Sequence, residues 1–223
     1  MKADYILKSS RIYKGTGNRE CEGIVAVKGQ RILFAGPADK MDRFKGPDTK
    51  VMDFGDKLIL PGFHDAHMHM YMSSLYASPL IHVSFTDTSE EACVAGLAEQ
   101  AKRTPKDRWL ISAGWYHPLW TNPVLPSKRS LDAVYPDRPV CMIAGDGHTM
   151  WFNSEGLRRL EIDENTVAPP GGTIDKDENG ELTGIIHETA ALSLTSKIYD
   201  FTEKEENDAY RSFIRYMNEY GIT

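Results

Sequence analysis

Pro61-Gly62-Phe63-His64-Asp65-Ala66-His67-Met68-His69 separates two different sequence patterns in this chain. The proline and glycine make a sharp turn, and residues 63–70 then read as one buried strand. Residues two apart in a strand share a side, so Phe63, Asp65, His67 and His69 face one way. His64, Ala66, Met68 and Met70 face the other, and His64 is expected to pack against a helix rather than bind anything. Two imidazoles then converge. Neutral imidazole nitrogens bind zinc at about 2.0–2.1 Å, and a pair at i and i+2 can reach one ion, so His67 and His69 are the candidate metal ligands. A bare His-x-His is a weak signal on its own. Here the turn before it, the Asp65 carboxylate on the histidine side and the handover between two patterns strengthen it.

Upstream lie short strands and turns, at residues 4–8, 24–28 and 32–35, the last two joined around Gly29-Gln30 as a hairpin. Residues 51–53 and 57–60 complete a small β module. Downstream the pattern is mixed. Thr88 and Glu91 form a capping-box signature ahead of a helix face of Val94, Leu97, Ala98 and Ala101, which stops at Pro105. Residues 109–113 and 140–144 read as strands followed by glycine-containing turns. Asn179-Gly180 joins strands at 173–175 and 182–186. A last helix opens with the capping box Thr202 and Glu205, marks one face with Ala209, Phe213, Met217 and Tyr220, and ends at Gly221. Ile222-Thr223 would begin another strand. No internal repeat or low-complexity tract interrupts this.

The motif around His67 and His69 resembles that of the amidohydrolase superfamily, whose first barrel strand carries Pro-Gly-x-x-Asp-x-His-x-His. Arg138-Pro139-Val140, Asp146-Gly147-His148-Thr149-Met150-Trp151-Phe152-Asn153-Ser154, Gly171-Gly172, and Gly184 followed by Glu188 are similar to its YtcJ-like branch, amidohydrolase family 3. The resemblance covers essentially the whole chain. It implies an α/β fold: residues 1–60 as part of a urease-type small β-sandwich, and 61–223 as the start of a metal-dependent (β/α)8 barrel. A mixed α/β insertion would occupy about residues 80–200, and the barrel would be incomplete in this chain. It also implies a full protein over twice this length, whose later strands bring a carboxylated lysine, two more histidines and the catalytic aspartate. No catalytic residue is therefore placed here, and the chain alone is expected to be inactive.

The expected cofactor is a divalent metal, zinc foremost, as one or two ions. The expected reaction is hydrolysis of a C–N bond of the amide type through metal-activated water. A heterocycle deaminase on the same scaffold, or a non-catalytic fragment, is the alternative. His148 and Trp151 are the candidate substrate-binding residues. For His148 a hydrogen bond to substrate and a turn-capping role weigh equally, and for Trp151 packing outweighs recognition. Glu188 suits the positive end of a helix. His187, like His64, stands where an aliphatic residue is expected. Trp115, Tyr116, His117 and Trp120 read as a satellite core more than as a lid.

Composition narrows the partners. Lys and Arg number 26 against 32 Asp and Glu, a net charge of -6 with no basic block, which argues against nucleic acid and a membrane surface and for a small-molecule substrate. A homodimer of the intact protein is left open. Cys21, Cys93 and Cys141 lack metal-type spacing and suit a reducing compartment, and no signal peptide or apolar span is visible, so a cytoplasmic location is expected.

Overall fold

The computed structural model describes residues 1–16 and 19–223. They form a mixed α/β structure with two sheets, divided between two compact units, Met1–Ala66 with Asn218–Thr223, and His67–Met217.

In the first unit, β1 (Tyr5–Ile12), β2 (Cys21–Lys28), β3 (Arg31–Gly36), β4 (Lys50–Asp53) and β5 (Leu58–Ile59) make one sheet. Its order is β3-β2-β1-β4, with β5 also on β1. The β2–β3 hairpin turns at Gly29, whose φ of 55° is the left-handed value that such a turn needs and glycine supplies without strain. Ile6, Ile24 and Ala26 bury one face together with Phe44 of helix α1 (Met41–Phe44), whose ring stacks on Phe34. Where a β-sandwich portion is expected, the described residues form one mixed sheet.

The expected buried strand over residues 63–70 does not form. Phe63 makes one parallel bridge to Ile222, through Phe63 N–H to Gly221 O (2.7 Å) and Thr223 N–H to Phe63 O (3.0 Å). It stays 54% exposed, residues 64–67 are exposed, and helix α2 (Met70–Tyr76) begins directly after His69. A strand exists through its partners, and among the described residues this segment has a partner at one residue only. His64 is correspondingly exposed instead of packed against a helix.

The second unit holds the larger sheet: β6 (His82–Val83), β7 (Leu110–Trp115), β8 (Val140–Ala144), β9 (Thr149–Phe152), β10 (Gly172–Lys176) and β11 (Leu182–His187), in the order β10-β11-β9-β8-β7-β6. The β6-β7-β8 part is parallel and the rest antiparallel. Alternation sends Ile111, Cys141, Ile143, Met150 and Phe152 to one face, with Leu75, Ile198 and Ala209. Leu110, Val140, Met142, Trp151 and Ile185 go to the other, with Val94, Leu97, Leu131 and Tyr135. Both faces are covered, which is why these strands read as unbroken apolar runs.

Helices α3 (Glu90–Gly96), α4 (Ala98–Arg103), α5 (Lys128–Val134), α6 (Ser154–Arg159), α7 (Glu188–Leu192), α8 (Thr195–Ile198) and α9 (Glu203–Glu219) supply these covers. The N-cap of α3 is Ser89, whose Oγ accepts from Ala92 N–H at 3.1 Å, one residue after the expected Thr88. The capping box of α9 forms as expected. Thr202 N–H donates to Glu205 Oε2 (2.8 Å) and Glu205 N–H to Thr202 Oγ1 (3.3 Å). Among the described residues no helix is long and apolar enough to cross a membrane.

Candidate metal centre and adjoining cavity

His67 and His69 converge although no strand carries them. Their Nε2 atoms lie 3.4 Å apart, with ring centroids 5.3 Å apart and planes at 63°. The device is the helix start. His69 has φ -92° and ψ 65°, and its carbonyl accepts the first helical bond, from Ser73 N–H at 2.9 Å. His69 thus sits at the entry to α2, with His67 two residues before it. Two nitrogens each about 2.05 Å from one tetrahedral ion lie ~3.4 Å from each other. The observed separation equals that chord, and it exceeds the roughly 2.7–3.2 Å of a good hydrogen bond. The pair therefore fits a shared divalent ion. Among the described residues no group of three or more His, Cys, Asp or Glu converges, so the chain offers two ligands where zinc takes about four.

His69 also lines a cavity of about 550 Å³. Met72, Tyr76, Ile143, Met150, Leu192 and Tyr199 give it apolar walls, and the turn Gly145-Asp146-Gly147-His148 after β8 forms its polar rim. Burial raises the Tyr76 and Tyr199 phenols above their ordinary range, so both stay protonated at neutral pH. Asp146 shapes the rim, its Oδ1 accepting from the backbone N–H of His148 (2.8 Å) and Thr149 (3.1 Å). A hollow of about 670 Å³ elsewhere is lined by paired charges, among them Arg158 with Glu155, and by none of the histidines.

The rim His148 is paired with Glu188: Nδ1 lies 2.9 Å from Oε2, and Glu188 N–H donates to His148 O at 2.7 Å. Sequence reading gave Glu188 a helix-end role and missed this partner, which is 40 residues away in the chain. Next to it His187 bridges Asp175 (Nε2 to Oδ2, 3.0 Å) and Thr149 (Nδ1 to Oγ1, 3.1 Å), a row across β10, β11 and β9. Trp151 does not line the cavity. It is wholly buried on the opposite face of the sheet, its ring 6.0 Å from Trp115, because β9 alternation turns Met150 to the cavity and Trp151 away. Trp115 and Trp120 belong to the same core, with Trp115 Nε1 donating to Met142 O at 2.9 Å, while Tyr116 is exposed. Burial pushes the His117 imidazole below its ordinary range, against the opposing pull of Asp146.

Comparison with known proteins places this arrangement. The Bacillus subtilis amidohydrolase-family protein YtcJ is 27% identical over 183 residues, covering 82% of this chain and 34% of its own length. An N-substituted formamide deformylase of Arthrobacter pascens is 27% identical over 225 residues, covering 99% of this chain and 41% of its own length. The chain thus spans about a third to two fifths of the curated relatives it matches. An uncharacterized metal-dependent hydrolase from Pyrococcus furiosus shares the fold with a TM-score of 0.68 at 21% identity, over 98% of this chain and 42% of that one. The sequence model of the amidohydrolase family matches residues 50–223, and with most of its length inside that match the chain belongs to the amidohydrolase family, in its YtcJ-like branch.

Proposed function

We propose that this chain contributes two metal ligands, His67 and His69, and part of the substrate pocket to a metal-dependent hydrolase of amide-type C–N bonds in small molecules. The observation that carries the reading is the 3.4 Å separation of the two Nε2 atoms, the chord of a shared tetrahedral ion. A divalent ion, zinc foremost, supplies electrophilic polarisation of a carbonyl and acidifies water when bound. The chain's own residues do the rest. His67 and His69 present ring nitrogens 3.4 Å apart, and His148 stands on the rim of the cavity that His69 lines. The apolar walls keep water from the hydrocarbon part of a substrate. A catalytic aspartate and further ligands are expected from residues beyond those of this chain. The relative named as a formamide deformylase favours the amide reading.

The test has two arms. Zinc titrated into the chain should bind at one equivalent, with His67→Ala and His69→Ala each weakening it at least tenfold and His64→Ala leaving it unchanged. Expression of the gene's full reading frame should give hydrolysis of secondary amides, read as amine and carboxylate appearing together. Ammonia released from aminated heterocycles instead would replace this reading with a deaminase. No turnover of either kind in a zinc-loaded full protein would sink both.

A further inference from the structure

Glu188 occupies the junction where β11 ends at His187 and α7 begins, with φ of 55°. This is the left-handed region that a residue with a Cβ enters only under constraint. Two ties hold it there. Its N–H bonds the His148 carbonyl, and Gly172 bridges it from β10 so closely that a Cβ on Gly172 would come within 2.3 Å of Ala190 N. The carboxylate then returns to Nδ1 of the same His148 whose carbonyl the backbone engages. Stability does not explain this. The two side chains are 55% and 59% exposed, and an exposed ion pair adds little to folding. A strained backbone that serves a weak surface pair points to a role for the pair itself.

We propose that Glu188 is a positioning residue that fixes His148 as its Nδ1–H tautomer, so that Nε2 accepts a hydrogen bond from the N–H of a secondary amide whose aryl or branched alkyl group fills the adjoining cavity. An ionised carboxylate only accepts, so the proton shared with Glu188 sits on Nδ1, and in that tautomer Nε2 is the atom that carries the acceptor lone pair. No described residue hydrogen-bonds that Nε2. Beyond the rim, Met72, Ile143, Met150 and Leu192 offer hydrocarbon, in a volume within the range of small-molecule pockets. The combination selects a ligand with a donor at one end and an apolar body at the other. Water-soluble amides without such a body lack half of the contacts. This deepens the amidohydrolase reading and rests on it for the ligand being an amide.

The experiment uses the 223-residue chain with a chelator present, which removes metal from the outcome. Imidazole 15N shifts should report the Nδ1–H tautomer for His148, and a mixture of tautomers in Glu188→Gly, where glycine accepts the backbone conformation and the fold is kept. N-benzylacetamide should perturb His148 and the Met150 methyl and bind at least fivefold more tightly than benzyl acetate, its isostere with oxygen in place of N–H. That preference should vanish in His148→Ala and in Glu188→Gly, the two ligands then binding alike. The proposal is overturned if His148 shows the Nε2–H tautomer, if amide and ester bind alike, if the perturbed residues lie elsewhere, or if Glu188→Gly keeps the preference. Because no metal is present, loss of the preference leaves the zinc reading standing, and failure to bind zinc leaves the preference standing.

Discussion

Asn153 shows how much one side chain can hold. It is fully buried, and its Oδ1 accepts from Val140 N–H (2.9 Å) and Gly156 N–H (2.8 Å). Its Nδ2 donates to the carbonyls of Tyr135 and Arg138, both at 2.8 Å. One amide thereby caps α6, anchors the start of β8 and closes the turn after α5. Asn153→Ala leaves four buried backbone groups short of a partner, at about 1–3 kcal/mol each before relaxation. A loss of roughly 3–5 kcal/mol in urea denaturation is expected; a loss below about 1 kcal/mol would show that the network is dispensable. At this scale the sequence was legible where chemistry is local. His67 and His69 stand two apart, and their convergence could be expected. The His148–Glu188 pair could not, because it needs β9 and β11 to be neighbours and a left-handed residue that no side-chain pattern announces. Trp151, named with His148 as a candidate substrate-binding residue, lies in the buried core instead, because its alternation with Met150 turns it away from the cavity.

At the scale of elements, α9 is pinned at its start by the capping box and by Arg108, whose guanidinium reaches Glu205 Oε1 at 2.8 Å and Oε2 at 3.1 Å. The Arg108 partner, with the Thr202 hydrogen bonds, lowers the Glu205 carboxyl to about 2. The folded value is below the unfolded one, so this contribution is full above about pH 4.3 and lost as pH falls through about 2. Both side chains keep about a quarter to a third of their exposure, and solvent screening reduces the worth to ~1–2 kcal/mol. Acid unfolding of Glu205→Gln should therefore lack the part of the wild-type stability loss between about pH 4 and 2, while the two proteins converge below it. Unchanged acid curves would remove the pair from the account. The capping box, the Gly29 hairpin and the Asn179-Gly180 hairpin were all readable from sequence, since each is decided within a few residues. The strand at residues 63–70 was not, since pairing is decided by distant segments, and among the described residues only Ile222 meets it. The break between α3 and α4 at Leu97 follows Gly96, a local breaker that the reading of one continuous helix face up to Pro105 passed over.

Across the molecule, the two units carry different tasks. The unit of Met1–Ala66 with Asn218–Thr223 holds the smaller sheet, and no candidate site is placed among its described residues. The His67–Met217 unit contains the histidine pair, the cavity and the His148–Glu188 rim. Its sheet is buried on both faces, which gives these groups a rigid floor. The central claim is that His67 and His69 hold one ion between them, and zinc X-ray absorption on the loaded chain tests it most directly. The account predicts a nitrogen shell at about 2.0–2.1 Å with outer scattering from two imidazoles, falling to one in His67→Ala and in His69→Ala and to none in the double variant. A spectrum with one imidazole or none in the wild-type chain, or one that the two substitutions leave unchanged, would contradict it.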